Sequence, residues 1–325
     1  MITGLFRASG ASIVLENNTT FNERIQELAG LIHEGFNYIS YEEARRELLL
    51  WISETTGLNA IKLRVDPPEL SEEQWSSLES FAVRRSMGMP FAYLLGRCHF
   101  YDLELAIGPG VLIPRPETEE LVDRAVAWTE ERIAESTEKL RILDLCTGSG
   151  CIGVATGHAL KQKMNQRKLP KVELDIALSD ESAYALEYAR VNSDAYAEPG
   201  LHFSIFEGDL MAPFRKEKAP PFDLILCNPP YVHPDEIPLL APETYLHEPA
   251  EALFHNDPPA LYIQIIRECL PFLSDHGVII MELSQFVYQV VSMLCENEFP
   301  DCTYRVEKDL SGKQRFLIFA CNSHP

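Results

Sequence analysis

Positive charge is scarce in this chain: 28 Lys and Arg stand against 49 Asp and Glu among 325 residues, a net charge of −21. That balance excludes broad, sequence-independent contact with nucleic-acid phosphates, which needs clustered Lys and Arg to release counterions, so duplex DNA is a poor partner. It suits a basic protein partner, or serves solubility alone. No apolar run approaches the ~20 residues of a membrane-spanning helix. The first residues lack the basic-then-apolar pattern of a secretory leader. The eight cysteines, at positions 98, 146, 151, 227, 269, 295, 302 and 321, include no C-x-x-C pair, and the histidines show no zinc-ligand spacing, so no metal site is expected. Several of these cysteines lie inside apolar runs, where a reduced thiol is a small core residue, and this points to a reducing compartment, the cytoplasm.

What is present is enough for a sizeable core. The chain is 46% hydrophobic, and 325 residues suggest two domains. Residues 1–20 read as a flexible tail, with an organelle-targeting segment as the alternative. From 21 to 89 the apolar period is helical: Ile25, Leu28 and Ile32, then Ala44, Leu48, Trp51 and Ile52. After the Pro67-Pro68 break and a start signal at Ser71-Glu72-Glu73, the period returns at Leu78, Phe81 and Ala82. This module is either a structural cap or a partner-docking domain. Over 90–116 short β-like pieces, Phe91 to Leu95 and Tyr101 to Ile107, are punctuated by Gly96, Gly108, Pro109 and Gly110, which reads as a β-hairpin linker. Helix resumes at Glu117. Strands are then expected at Arg141 to Leu145, Val172 to Leu178, His202 to Phe206, Phe222 to Cys227, Val278 to Leu283, Tyr304 to Val306 and Phe316 to Ala320, alternating with helices except between the last two. Such alternation predicts an α/β fold over 117–325, with a mainly parallel sheet covered on both faces and an antiparallel pair at its edge.

Two strand ends carry the chemistry. The first runs into Asp144-Leu145-Cys146-Thr147-Gly148-Ser149-Gly150, and Gly148 to Gly153 matches G-x-G-x-x-G. For a dinucleotide an acid is expected about 20 residues on, whereas Asp180 lies farther along, after the second strand. Asp144, just before the turn, would repel a pyrophosphate but can reach an ammonium group such as that of S-adenosylmethionine. Asp180 can take both ribose hydroxyls, or instead cap the helix that follows. Gly208, Asp209 and Leu210, after the third strand, would flank adenine. Position at the carboxyl ends of strands favours the binding roles.

The second strand end is Asn228-Pro229-Pro230-Tyr231. An amide nitrogen is a poor nucleophile because its lone pair is delocalised into the carbonyl. Two acceptors on its hydrogens, the Asn228 side-chain oxygen and the Pro229 carbonyl, favour a geometry in which the lone pair faces a sulfonium methyl. Consecutive prolines fix these acceptors in advance, so preorganisation is the catalytic device. Tyr231 offers a face for a planar amide or base. No general base is required, because the nitrogen loses its proton once it has become cationic. Taken alone, Asn-Pro-Pro is a turn signal; behind a cofactor loop it implies methyl transfer to nitrogen.

With these residues in hand, the chain resembles the HemK/PrmC family of peptide chain release factor N5-glutamine methyltransferases. The likeness runs from about Phe21 to Ala320 and includes Gly88 to Gly96, Val111 to Glu119, the glycine loop, Asn228 to Tyr231, Glu248-Pro249 with Ala252-Leu253, Glu282 with Gln285, and Asp309-Leu310-x-Gly312 followed by Arg315. The resemblance implies a class I S-adenosylmethionine-dependent methyltransferase, a Rossmann-like seven-stranded sheet with an all-α N-terminal domain that helps recognise the release factor. The implied substrate is the glutamine of the Gly-Gly-Gln loop of class I release factors, S-adenosyl-L-homocysteine is the by-product, and a monomer is expected. It places Cys146, Thr147, Gly148, Ser149, Gly150, Asp180, Leu210 and Asn228 at the cofactor, and Asn228 to Tyr231 at the glutamine. Arg115 and Glu117 either shape the substrate pocket or brace the linker. Three positions depart from the family pattern. Cys146 stands where glycine is frequent, which suits a backbone outside the left-handed region; Leu210 stands where some relatives carry an aromatic; and Phe254 to Pro259 replaces a glycine-rich segment. The readings left beside this one are a ribosomal-protein glutamine methyltransferase, a DNA adenine-N6 methyltransferase, an idle release-factor-binding module and a nicotinamide dehydrogenase.

Overall fold

The computed structural model describes residues 20–59, 62–63, 67–134, 139–166 and 168–321, so the tail expected before Thr20 lies outside the described residues. The chain forms two compact units that divide between Leu94 and Leu95. In the first, helices α1 (Phe21–Gly35), α2 (Tyr41–Thr56) and α3 (Glu72–Ser86) bury the apolar positions expected from their period, with Leu28, Ile32, Leu48, Leu78 and Phe81 wholly enclosed. Thr20, Ser40 and Ser71 cap their N-termini, Thr20 and Ser71 within full capping boxes.

One expectation fails at the end of this unit. Phe91–Leu95 is a short helix, α4, not a β piece. The Leu94 amide donates to the Pro90 carbonyl at 3.1 Å and Gly96, at φ +76°, ends the turn. A five-residue apolar run is too short for its periodicity to separate helix from strand.

The hairpin follows as β1 (Arg97–Phe100) and β2 (Leu103–Ala106), paired antiparallel, and it is built into the second unit. Phe100, Leu103 and Leu105 enter the core of that unit. Asn192 ties β2 down by accepting from the Ala106 amide at 2.7 Å and donating to its carbonyl at 3.0 Å.

Beyond α5 (Pro116–Ala134) come β3 (Lys139–Leu145), α6 (Cys151–Asn165), β4 (Glu173–Asp180), α7 (Ala183–Tyr196), β5 (Leu201–Glu207), α8 (Ala212–Glu217) and β6 (Phe222–Cys227). Short helices α9 (Pro242–His247) and α10 (Ala250–Leu253) lead to α11 (Pro258–Cys269), β7 (Leu273–Glu282), α12 (Tyr288–Glu298), β8 (Cys302–Lys308) and β9 (Gln314–Cys321). The sheet order is β5-β4-β3-β6-β7-β9-β8. Strands β3 to β7 pair in parallel, while β9 runs antiparallel to both β7 and β8, which gives the expected antiparallel pair at one edge. One apolar cluster fills each face of the sheet. The chain reverses its winding between β3 and β6, and their carboxyl ends open the crevice in which ligands of such sheets bind.

Register also corrects the reading of the cysteines. Cys302 and Cys321 face each other across β8 and β9 and are joined as a disulfide, whereas the other six are free. Among the described residues no helix is long and apolar enough to cross a membrane.

Candidate active site

The loop after β3 is held by the end of β4. The Thr147 amide donates to the Ser179 carbonyl at 3.0 Å, and the Gly148 amide to Asp180 Oδ2 at 2.8 Å. Gly148 (φ +56°) and Gly150 (φ +81°) take left-handed conformations open to glycine without strain. So does Cys146, at φ +56°, contrary to the expectation that a cysteine there implies ordinary backbone; Leu210 follows at φ +42°. Left-handed residues with side chains cluster at functional sites, where surrounding structure over-determines them.

Asp144 is fully buried behind this loop and does not line the cavity in front of it. Its Oδ2 accepts from Thr147 Oγ1 at 2.6 Å and from the Gly153 amide at 2.8 Å, while Oδ1 is buried with no partner. Burial raises its carboxyl to about 7 against those two hydrogen bonds, and the Asp180 charge adds to the rise.

Asp180 does line the cavity and is not the helix cap, a role taken by Ser182. Its Oδ1 accepts from the Ser182 amide at 2.9 Å. Burial raises this carboxyl too, opposed by backbone amides and reinforced by Glu251.

The cavity has a volume of about 450 Å³. Of the residues expected at the cofactor, Cys146, Thr147, Gly148, Ser149, Asp180, Asp209, Leu210 and Asn228 line it, and Gly150, like Asp144, does not. Its lining carries four carboxylates, Asp180, Glu181, Asp209 and Glu251, against one arginine, Arg115. That field disfavours a pyrophosphate and suits a ligand with hydroxyl donors and a positive charge, so the dinucleotide reading of the glycine loop fails. The departing segment supplies part of the wall: Asp257 caps α11, its Oδ1 accepting from the Ala260 amide at 3.1 Å, and leaves Phe254 and His255 on the cavity.

A second cavity, of about 220 Å³, is lined by Pro229, Tyr231, Val232, Leu240, Thr244 and Leu253. Leu112, Arg115, Asn228 and Ala252 line both cavities, so Asn228 stands at their junction. Arg115 is held there by buried Glu248, Nη2 to Oε1 at 2.6 Å, while Glu248 Oε2 accepts from the Ile113 amide at 3.0 Å. Glu117 is exposed on the first turn of α5 and lines neither cavity.

Beneath the corner lies a network that sequence reasoning did not assign. Tyr231 Oη donates to Glu282 Oε1 at 2.8 Å and Thr118 Oγ1 to Glu282 Oε2 at 2.7 Å. Asn228 Nδ2 donates to Thr118 Oγ1 at 3.3 Å. Glu282 is 1% exposed; burial raises its carboxyl, while Thr118, Tyr231 and Arg315 oppose the rise. Burial, and then the Glu282 charge, push the Tyr231 phenol well up, so it remains a hydrogen-bond donor. The motif positions Thr118 and Glu282 were in view, but nothing local said that they meet.

A seven-stranded sheet of this order, with a glycine loop after β3 and an Asn-Pro-Pro-Tyr corner after β6, defines a class I S-adenosylmethionine-dependent methyltransferase. Residues 119–258 match the Methyltransferase small domain family and residues 36–96 the PrmC N-terminal domain. The chain is 35% identical over 274 residues to a release factor glutamine methyltransferase of Thermodesulfovibrio yellowstonii, covering 84% of this chain and 91% of that one. It is 32% identical over 282 residues to that of Leptospira interrogans (85% and 90% covered) and 33% over 270 residues to that of Gloeobacter violaceus (82% and 87%). The chain belongs to the release factor glutamine methyltransferase family.

Proposed function

We propose that this protein methylates the side-chain amide nitrogen, N5, of the glutamine in the Gly-Gly-Gln loop of a class I peptide chain release factor. The observation that carries this reading is the place of Asn228, at the junction of an acidic nucleoside-sized cavity and a smaller cavity beside Pro229 and Tyr231. S-adenosylmethionine would supply an electrophilic sulfonium methyl from the larger cavity. Asp180 would accept from the ribose hydroxyls there, with Asp209 and Leu210 beside the adenine. Asn228 Oδ1 and the Pro229 carbonyl would accept from the two hydrogens of the glutamine amide and turn its lone pair toward the methyl. Arg115, pinned by Glu248, would shape the mouth shared by both cavities.

The test is peptide-mapped mass spectrometry of a bacterial class I release factor after incubation with the protein and S-adenosylmethionine. One added methyl on the Gly-Gly-Gln glutamine is expected. An unmodified release factor, with ribosomal proteins methylated in a parallel lysate, would move the assignment to another protein substrate. In the same preparation Asp180→Ala should weaken cofactor binding by about 10-fold or more, since each charge-assisted hydrogen bond contributes roughly 1.5–3 kcal/mol. Unchanged affinity by calorimetry would reject the ribose assignment.

A further inference from the structure

We propose that Thr118 and Glu282 decide which end of the Asn228 carboxamide is offered to the substrate, acting as positioning residues through a directional chain of hydrogen bonds. The inference rests on the reading of Asn228 as the acceptor of the substrate amide. A carboxamide has two ends of similar shape and opposite hydrogen-bonding sense, and an acceptor role needs the oxygen outward. Nothing in a proline-fixed backbone chooses between them. The choice comes from the bonds behind the side chain.

Glu282 is the last residue of β7, and Asn228 immediately follows β6. Burial raises the titration of Glu282, and above it, where the transfer is assayed, the carboxylate has only lone pairs to offer, so each hydroxyl that touches it must donate. Thr118 Oγ1 gives its hydrogen to Oε2 at 2.7 Å, and Tyr231 gives its own to Oε1 at 2.8 Å. A threonine hydroxyl has one hydrogen. With that hydrogen committed, Thr118 presents only lone pairs to Asn228, 3.3 Å away, and the end of the carboxamide that can meet them is Nδ2. The end left for the cavities that Asn228 lines is therefore the oxygen.

The anchor is itself braced. Tyr262 Oη donates to the Glu282 carbonyl at 3.0 Å and accepts from the Ser284 amide at 3.2 Å, which holds the end of β7 on the buried side. Asn228 and Tyr231, the first and last residues of the corner, are thus tied to opposite oxygens of one buried carboxylate, Asn228 through Thr118 and Tyr231 directly.

The experiment is single-turnover methyl transfer from S-adenosylmethionine to a class I release factor by the full-length protein. The variants are Thr118→Val, Thr118→Ser, Asn228→Asp and the double variant Thr118→Val with Asn228→Asp, with cofactor affinity measured by calorimetry. Thr118→Val keeps the side-chain shape and removes the relay; the rate should fall about 10²-fold, the scale expected when a reacting group is misoriented, with a far smaller change in cofactor affinity even though Thr118 borders the larger cavity. Thr118→Ser keeps the hydroxyl and should restore most of the rate. An aspartate at 228 offers an acceptor at either end and has no N–H for the Thr118 lone pairs, so the relay is absent and Thr118→Val should cost no rate in that background. Equal losses in both backgrounds would make Thr118 a packing residue and overturn the proposal, as would wild-type rates in Thr118→Val. Should Asn228→Asp be too slow to measure, the contrast between Ser and Val at position 118 decides, and equal rates for those two would overturn the relay. An inactive wild-type protein would instead overturn the substrate reading, and this inference with it.

Discussion

Replacing Asn228 with alanine is expected to lower the turnover number by about 10²-fold or more, the usual consequence of removing one preorganised polar group from a reacting centre. The reason is the nucleophile. A glutamine amide nitrogen shares its lone pair with its carbonyl, and the reactive geometry exists only while both of its hydrogens are held. On the proposed reading, alanine would leave the Pro229 carbonyl as the single fixed acceptor, and the amide could rotate about that one bond. The lost interaction matters most as the nitrogen gains positive charge and its hydrogens become stronger donors, so the loss should fall on kcat more than on KM. Cofactor affinity should change little, because the larger cavity keeps Asp180, Asp209 and the glycine loop. Steady-state kinetics on a release factor, paired with calorimetry, checks both halves. Wild-type turnover in Asn228→Ala would remove the corner from the mechanism, and a loss confined to cofactor affinity would reassign Asn228 to the cofactor alone.

The frame around that corner was legible because its signals are local and redundant. The interior strands carry apolar runs closed by turn signals and the edge strands β5 and β8 alternate, so all seven could be located, and the lack of a helix between β8 and β9 foretold their antiparallel pairing. The helical period at Ile25, Leu28 and Ile32 translated directly into a buried stripe. Phe91–Leu95 was misread because five apolar residues after a proline contain no period to measure. The Cys302–Cys321 bond was out of reach for another reason: it follows from the register of β8 on β9, and a cysteine count has no access to register.

The site divides in the same way. Asn228, Asp180 and the glycine loop sit at strand ends, and topology brings strand ends together, so their convergence could be expected. Glu282 and Thr118 are 164 positions apart in sequence, and their meeting depends on how α5 packs over the end of β7. Asp144 shows the limit of reasoning from position alone. A strand-end carboxylate is equally able to face the ligand or to hold the loop, and Thr147 and Gly153 take it for the loop. Glu117 faces solvent, because the buried position in that turn belongs to Thr118.

The burial of Asp144 leads to the second large effect, a fall in stability of the ligand-free protein as pH rises from 5 to 8 that Asp144→Asn should largely abolish. An unfolded-chain aspartate titrates near about 3.9, whereas in the fold burial raises this carboxyl to about 7. Between those values the folded state binds the proton and the unfolded state does not, so the contribution is complete below the lower value and is lost as pH climbs through the upper one. A shift of that size corresponds to at most about 4 kcal/mol. Asp180 and Glu282, also raised by burial, act in the same direction. At Glu307 and Asp309 hydrogen bonds and arginine charge outweigh burial and hold the carboxyls low, so their opposite contribution lies at more acid pH, outside this window. Asparagine imitates the protonated acid: its oxygen can accept from both Thr147 and Gly153, and its NH2 occupies the place of Oδ1, which has no partner in either case. The variant should therefore match the wild type in urea unfolding near pH 5 and exceed it near pH 8. A wild-type slope that persists in Asp144→Asn would show that the buried proton resides elsewhere in the site.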